Sequence, residues 1–232
     1  MDAQRANDHS MTWIKICGTT NLEDAHVAVE AGADAIGFVF GPSKRQVTPE
    51  KAARIAAQLP AGIERVGVFV NESPTQVRTT VEQVGLTVVQ LQGDEDLNYV
   101  RELFPVPEAA ERSTRPSIFK TLSFGPELEH LLHDFGPQSG VDAILFDSGN
   151  VQERGGTGRT FPWKPVASMI SARQMRIIVA GGLNASNVAE AISILHPWGV
   201  DVVSGTESVP GKKDPEKIRA FIAAVRQADG KG

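Results

Sequence analysis

The chain has 232 residues, a formal net charge of −5 and no long run of lysine or arginine. Hydrophobic residues make up 41% of it and charged residues 22%, a balance typical of a globular protein and not of a disordered or fibrous one. Because the charge is negative, the chain lacks the basic surface that binds nucleic acids or anionic membranes. We therefore expect neither partner.

Cys17 is the only cysteine, so the sequence excludes a disulfide within the chain and a cysteine-rich zinc site. Residues 1–10 are polar with mixed charge, unlike a signal peptide, and no apolar stretch reaches membrane-spanning length. We predict a flexible tail over residues 1–11, a single domain over residues 12–232, and a cytoplasmic location.

Short apolar runs alternate with amphipathic stretches, and there are eight of each. The predicted strands are Trp13–Cys17, Ala35–Phe40, Arg65–Val70, Val88–Leu91, Ile118–Thr121, Ala143–Asp147, Arg176–Ala180 and Val200–Ser204. The predicted helices are Leu22–Ala31, Pro49–Gln58, Pro74–Val84, Leu97–Leu103, Glu127–Phe135, Trp163–Ser171, Asn187–Leu195 and Pro215–Gln227.

Three of these helices have a clear start signal. Thr48, Ser73 and Asp214 are each followed by proline, and such a pair caps a free amide and presets the first helical dihedral angle. The segment Phe104–Ser117 carries three prolines among charged residues, which predicts an inserted surface loop and not a linker between domains.

Strict alternation of strand and helix leaves two α/β architectures, a closed barrel or an open doubly wound sheet. Eight units of nearly equal size favour closure, so we predict a single-domain (β/α)8 TIM barrel. In this fold the catalytic residues lie at the carboxyl ends of the strands. Polar residues that end a predicted strand are therefore the candidates for a site.

A faint repeat places Gly and Asp before three strands, at residues 32–34, 140–142 and 199–201. We interpret these aspartates as structural, because the amino ends of barrel strands contribute to stability and not to catalysis.

The first strand ends in Lys15, Ile16 and Cys17. If Ile14 and Ile16 face the helices, Lys15 and Cys17 face the barrel interior. A nearby ammonium favours thiolate over thiol, which makes Cys17 a candidate general base. The alternative is that Cys17 is a small buried hydrophobic residue.

The sixth strand places Asp147 after four apolar residues. Asp147 is a candidate general acid, since paired ionisable groups with different environments divide acid and base roles. The alternative is a carboxylate that caps the following loop.

Glycine-rich loops follow the sixth, seventh and eighth predicted strands, and their backbone amides can approach an anion closely. We predict a phosphate cup; the first loop is also a candidate mobile lid, and the alternative for the set is ordinary turn chemistry. The candidate residues are Gly156, Thr157, Gly158, Gly181, Gly182, Ser204 and Gly205.

A basic turn over residues 41–47 follows the second strand. Arg45 is a better candidate than Lys44 for binding a planar carboxylate, because a guanidinium offers paired donors. The alternative is an exposed basic loop without a ligand.

Seven ordered motifs extend from the first strand to the last helix. They are KICG at 15–18, SKR at 43–45, QLQG at 90–93, LFD at 145–147, GGTG at 155–158, AGGL at 180–183, and SG at 204–205 followed by PGKKD at 210–214. On these motifs the chain resembles the phosphoribosylanthranilate isomerase family over residues 13–224. Two residues depart from the family pattern: Gln92 stands where His is common, and Thr206 where an apolar residue is frequent.

The resemblance implies an Amadori rearrangement of N-(5-phosphoribosyl)anthranilate in tryptophan biosynthesis, without a metal or redox cofactor. It implies that Cys17 is the general base, that Asp147 is the general acid and that Arg45 binds the anthranilate carboxylate. We expect Lys15 and Gln90 to support the site. The expected partner is a small-molecule sugar phosphate, and the expected state is a monomer or a homodimer.

Two competing functions remain. A neighbouring barrel enzyme of tryptophan or histidine biosynthesis would share the phosphate cup, but indole-glycerol-phosphate synthase would have lysine and glutamate at its catalytic positions. A non-catalytic sugar-phosphate-binding module would keep the glycine loops and lose the acid or the base. Cys17 and Asp147 argue against both.

Overall fold

The computed structural model describes residues 11–104, 115–147, 163–170 and 175–230. Eight parallel strands pair in chain order, and the first also pairs with the eighth, so that the sheet closes into a barrel. Helices alternate with the strands along the chain. The predicted single-domain (β/α)8 barrel is confirmed. Of the predicted tail, only Met11 belongs to the described residues.

The barrel strands are β1 Trp13–Cys17, β2 Ala35–Val39, β3 Glu64–Phe69, β4 Val88–Leu91, β5 Ser117–Ser123, β6 Ala143–Asp147, β7 Arg176–Val179 and β8 Gly199–Val202. The helices are α1 Leu22–Ala31, α2 Pro49–Ala56, α3 Pro74–Val84, α4 Leu97–Leu103, α5 Leu128–Asp134, α6 Trp163–Ile170, α7 Val188–Leu195 and α8 Pro215–Asp229. A 3₁₀ turn, Ser204–Thr206, and an antiparallel hairpin, β9 Glu207–Val209 with β10 Lys212–Lys213, lie between β8 and α8.

The predicted elements are present, and their ends agree within two residues; α2, for example, ends at Ala56 and not at Gln58. The hairpin β9–β10 was not predicted. Of the predicted surface loop, residues 105–114 lie outside the described part of the chain.

The three predicted helix starts are confirmed. Thr48, Ser73 and Asp214 each have extended backbone and accept a hydrogen bond from a backbone N–H in the first turn of the helix. Each such cap stabilises its helix by about 0.5–2 kcal/mol.

The core has two layers, because side chains alternate between the two faces of each strand. The larger layer lies between the strands and the helices and includes the fully buried Ile14 and Ile16. The smaller layer fills the barrel interior with Trp13, Ala35, Val66, Val88, Phe119, Ala143, Leu145, Ile178 and Ala180. Interior residues nearer the carboxyl ends of several strands are polar, which places a polar site at that end of the barrel.

Two of the three repeat aspartates have the predicted structural role. Asp34 accepts a hydrogen bond from the backbone N–H of Ile14 in β1, at 2.8 Å. Asp142 accepts one from the backbone N–H of Ile118 in β5, also at 2.8 Å. Each aspartate therefore links the start of its own strand to the preceding strand.

For Asp201 the predicted position, before the start of its strand, is wrong. Gly32 and Gly140, with φ of 101° and 87°, precede their strands, whereas Gly199 is itself the first residue of β8. Asp201 therefore lies within the strand, level with Lys15 of β1, and is buried. The Gly–Asp segment of β8 therefore lies further into its strand than the other two segments do, and the Asp201 side chain is part of the polar interior of the barrel.

Gly37 of β2 makes room for the side chains at the end of β1. A Cβ added at this position would lie 2.6 Å from Cys17 Sγ and 2.9 Å from Lys15 Cε. We expect Gly37→Ala to lower the free energy of unfolding by about 1–3 kcal/mol, measured by chemical denaturation, because overpacking a core costs that much. Gly62→Ala is the matched control, since nothing lies within 4 Å of its added Cβ. Equal stability of the two variants would contradict the prediction.

Candidate active site

Lys15 lies inside the barrel, as predicted, and its side chain is fully buried. Its Nζ donates to Asp201 Oδ2 at 2.9 Å and to Gln90 Oε1. Burial lowers the pKa of Lys15, but attraction to Asp201 and Cys17 outweighs burial and raises the pKa above its ordinary 10.5. Lys15 is therefore an ammonium held by a carboxylate, which offsets the cost of burying its charge.

Cys17 is buried beside Lys15, as predicted. The pKa of its thiol, however, is not lowered. Burial raises the pKa of the thiol, Lys15 and Lys213 lower it, and Asp201 raises it; the net pKa lies above the ordinary 9.0. Lys15 lowers the pKa of Cys17, as predicted, but burial and the Asp201 carboxylate outweigh this contribution and leave the net pKa raised. At neutral pH Cys17 is a thiol.

Lys213 fixes the carboxyl ends of β1 and β8. Its buried Nζ donates to the carbonyls of Cys17 and Val203, at 2.6 and 2.9 Å, and to Thr206 Oγ1 at 3.2 Å. Burial lowers the pKa of Lys213 to about 8, against the opposing attraction of Glu207. The sequence contained Lys213 in a recognisable motif, but nothing in that motif indicated a buried lysine.

Asp147 lies at the end of β6, buried and inside the barrel, as the alternation with Leu145 predicted. Gln92 Nε2 donates to its Oδ2 at 3.4 Å. Asp147 also lines a small cavity together with Gly181, Gly182 and Ser204. The candidate acid therefore lies next to the loops predicted to bind phosphate.

The glycine loops after β7 and β8 lie against each other. Gly181 and Gly182 have φ of 81° and 65°, a left-handed conformation that other residues rarely adopt. A Cβ at Gly205 would lie only 2.0 Å from the carbonyl oxygen of Leu183, so this approach requires glycine. The candidates of the first loop, Gly156, Thr157 and Gly158, lie outside the described residues.

Arg45 lies beside the candidate base but is already paired. A Cβ at Gly18, the residue after Cys17, would touch the Arg45 side chain at 3.1 Å. Arg45 Nε and Nη2 donate to the two carboxylate oxygens of Glu207, at 2.9 and 2.7 Å. Burial raises the pKa of Glu207, but Arg45 and Lys213 outweigh it and lower the pKa below 4.5. Sequence reasoning missed Glu207, which lies 162 positions from Arg45.

Asp201 was also missed as a site residue, although the sequence contained a signal for it. It stands between Val200 and Val202 in a predicted strand, and if those valines face the helices it must face the interior. Both valines are in the outer core layer.

Residues 11–104, 115–147, 163–170 and 175–230 contain no group of three or more His, Cys, Asp or Glu side chains placed to hold a metal ion. None of their helices is long and apolar enough to cross a membrane.

Lys15, Cys17, Asp147 and Asp201 lie at the end of the barrel where enzymes of this fold carry out catalysis. Together the fold and the site define a (β/α)8-barrel enzyme. The family model for N-(5'phosphoribosyl)anthranilate (PRA) isomerase matches residues 14–224. The chain belongs to this family, as the sequence motifs predicted, and is an isomerase of tryptophan biosynthesis.

Similar proteins agree with this assignment. The N-(5'-phosphoribosyl)anthranilate isomerase of Pelobacter propionicus is 44% identical over 220 residues, which cover 94% of this chain and 97% of that one. A crystal structure of phosphoribosyl anthranilate isomerase with reduced 1-(o-carboxyphenylamino)-1-deoxyribulose 5-phosphate is 38% identical, with a TM-score of 0.77, covering 94% of this chain and 100% of that one. A structure of monomers of the dimeric Thermotoga maritima enzyme is 37% identical, with a TM-score of 0.76 and the same coverage.

Proposed function

We propose that this enzyme converts N-(5-phosphoribosyl)anthranilate to 1-(2-carboxyphenylamino)-1-deoxyribulose 5-phosphate, with Cys17 as general base and Asp147 as general acid. The observation that carries the assignment of roles is the position of both side chains, buried and inside the barrel, at the carboxyl ends of β1 and β6. The rearrangement moves hydrogen from C2 to C1 of the sugar, so it needs a proton donor and a proton acceptor. Its oxidation at C2 balances its reduction at C1.

Asp147 begins the reaction. Its carboxyl group protonates the furanose ring oxygen, the bond from C1 to that oxygen breaks, and the nitrogen lone pair forms an iminium ion at C1. The position of Asp147 next to the loops after β7 and β8 supports this role. A phosphate bound in those loops would fix the opposite end of the sugar and bring its ring oxygen to the acid.

Cys17 acts second, as the thiolate that removes the C2 proton of the iminium. The electron pair of the C2–H bond then neutralises the iminium, and the resulting enolamine tautomerises to the ketone. Because the resting side chain is a thiol, it must ionise before it can act as a base. The positive charge of the iminium favours that ionisation when the base is needed, since an adjacent cation stabilises a thiolate.

The phosphate cup consists, among the described residues, of Gly181, Gly182, Ser204 and Gly205. We assign Gly156, Thr157 and Gly158 to the same cup. Left-handed glycines and the close approach at Gly205 support a loop pair whose backbone can contact an anion. The binding energy of the phosphate orients the sugar without taking part in proton transfer.

Arg45 remains the proposed ligand of the anthranilate carboxylate, despite its partner. A guanidinium has five N–H donors and two edges that can hold a carboxylate. Glu207 occupies the edge formed by Nε and Nη2. The edge formed by Nη1 and Nη2 can donate to the substrate carboxylate. The pairing with Glu207 holds the guanidinium in a fixed orientation.

Arg45→Ala is expected to weaken binding of the reduced product analogue by about 10- to 100-fold, because a hydrogen bond to a charged group contributes about 1.5–3 kcal/mol. For an analogue without the ring carboxylate, Arg45→Ala should change the affinity little. Calorimetric titration with both ligands measures the difference, and Lys44→Ala is the matched control on the exposed part of the same turn. Equal losses for the two ligands would mean that Arg45 serves only to pair with Glu207.

The activity is tested by following the fluorescence of freshly generated phosphoribosylanthranilate after the protein is added. We expect decay faster than the spontaneous rate, with the aminodeoxyribulose phosphate as product. An unchanged decay would overturn the proposed function and leave the other phosphate-binding barrel reactions to be tested.

We propose a cytoplasmic monomer or homodimer. The Thermotoga maritima relative is described as dimeric, and membership in a family of biosynthetic enzymes supports the location. Light scattering at several protein concentrations distinguishes the two states.

A further inference from the structure

A row of hydrogen bonds crosses the barrel from Lys15 to Asp147. Lys15 Nζ donates to Gln90 Oε1, and Gln90 Nε2 donates to Gln92 Oε1 at 2.7 Å. Gln92 Nε2 then donates to Asp147 Oδ2 at 3.4 Å. Thr121 Oγ1 also donates to Gln92 Oε1, at 2.8 Å. The row thus connects the buried ammonium beside the proposed base to the proposed acid on the other side of the barrel.

The direction of this row is fixed by Lys15. An ammonium has three donors and no acceptor, so Gln90 must present its oxygen to Lys15 and its NH₂ group to Gln92. Gln92 must in turn present its oxygen to Gln90, which turns its own NH₂ group toward Asp147. The hydroxyl of Thr121 favours the same orientation of Gln92. The side-chain amides therefore cannot flip without losing a buried hydrogen bond.

We propose that Gln92 is a positioning residue for Asp147. Its Nε2–H faces Asp147 Oδ2, and the hydrogen bond holds the carboxyl group in one orientation inside the barrel. The contact is long, at 3.4 Å, and hydrogen bonds to catalytic groups commonly tighten in the complex with substrate. This inference rests on the proposed function, in which Asp147 is the acid.

The first test is Gln92→Leu, which removes the donor and nearly preserves the size of the side chain. We expect kcat to fall by about 10- to 100-fold, with KM changed by less than about threefold, since a misplaced catalytic group costs that much in rate. We also expect the limb of the kcat–pH profile that reports Asp147 to move to higher pH, because an N–H donor stabilises the ionised form of a carboxyl group. Gln83→Leu, at an exposed position on α3, is the control and should change neither.

Two further variants separate positioning from structural support. Gln92→His supplies another N–H donor and should restore kcat to within about fivefold of the unmodified enzyme, together with its pH profile. Gln92→Glu keeps the shape but cannot donate when ionised, so it should shift the Asp147 limb of the pH profile in the same direction as Gln92→Leu. If circular dichroism and melting temperature show that Gln92→Leu does not fold, Gln92→Glu replaces it as the variant without a donor.

The outcomes are distinct. Loss of kcat with a shifted pH profile, restored by histidine, supports the proposal. Unchanged kcat and an unchanged profile in Gln92→Leu would overturn it, and so would a loss that histidine does not restore. The proposed function is tested separately, and it fails if the unmodified enzyme does not accelerate the reaction. If Asp147→Asn is inactive while Gln92→Leu has normal activity, only the proposed role of Gln92 is wrong.

Discussion

Cys17→Ala is expected to lower kcat by about 10²–10⁴-fold, because general acid–base catalysis contributes that much to a rate. The substitution removes the proposed base and leaves Lys15 paired with Asp201. Binding of the reduced product analogue should change by less than about threefold, since Cys17 contributes no charge to the resting site. Stopped-flow fluorescence gives kcat, and calorimetry gives the affinity.

The pH dependence provides a second measurement on Cys17. Because burial raises the pKa of the thiol, kcat/KM of the unmodified enzyme should rise with pH as the thiolate forms. Any residual activity of Cys17→Ala should lack this rise. Cys17→Ser is the matched control for size, and it should be as inactive as the alanine variant, because a serine hydroxyl does not ionise in this range. Near-normal turnover in either variant would show that another group is the base.

Asp147→Asn is expected to lower kcat by a similar factor, about 10²–10⁴-fold, because an amide does not release an acidic proton. The side chain keeps its shape and can still accept the hydrogen bond from Gln92, so the fold and the affinity for the reduced product analogue should be preserved. The measurement is the same fluorescence assay, combined with thermal unfolding.

Glu129→Gln is a suitable control for Asp147→Asn, since it removes a carboxyl group from an exposed position on α5. It should leave kcat unchanged. If Asp147→Asn instead retained most of its turnover and lost affinity, Asp147 would be a substrate-binding group and the acid would have to be found elsewhere.

Much of the fold follows from local patterns. Eight alternating units predict a closed barrel, and cap residues such as Thr48 and Ser73 fix the starts of their helices. The inward orientation of Lys15, Cys17 and Asp147 follows from the twofold alternation of strands, because each stands two positions from another interior residue.

The parts that sequence reasoning missed depend on contacts between distant segments. Glu207 and Lys213 belong to strands of three and two residues, too short to show any periodicity. The pKa of Cys17 depends on burial and on how several charges combine around it, which no local motif records. Asp201 was assigned by analogy with Asp34, but the two are placed at different levels of the barrel.

The ion pair between Lys15 and Asp201 joins the first strand of the barrel to the last, 186 positions apart. A partly formed barrel without β8 would bury the Lys15 ammonium without its carboxylate, an arrangement that costs several kcal/mol, roughly 3–5 for a broken buried pair. Intermediates in which β8 has not yet joined β1 are therefore disfavoured, and closure of the barrel between these two strands should be cooperative. In a chain emerging from the ribosome, the site cannot assemble until nearly all of it has been synthesised.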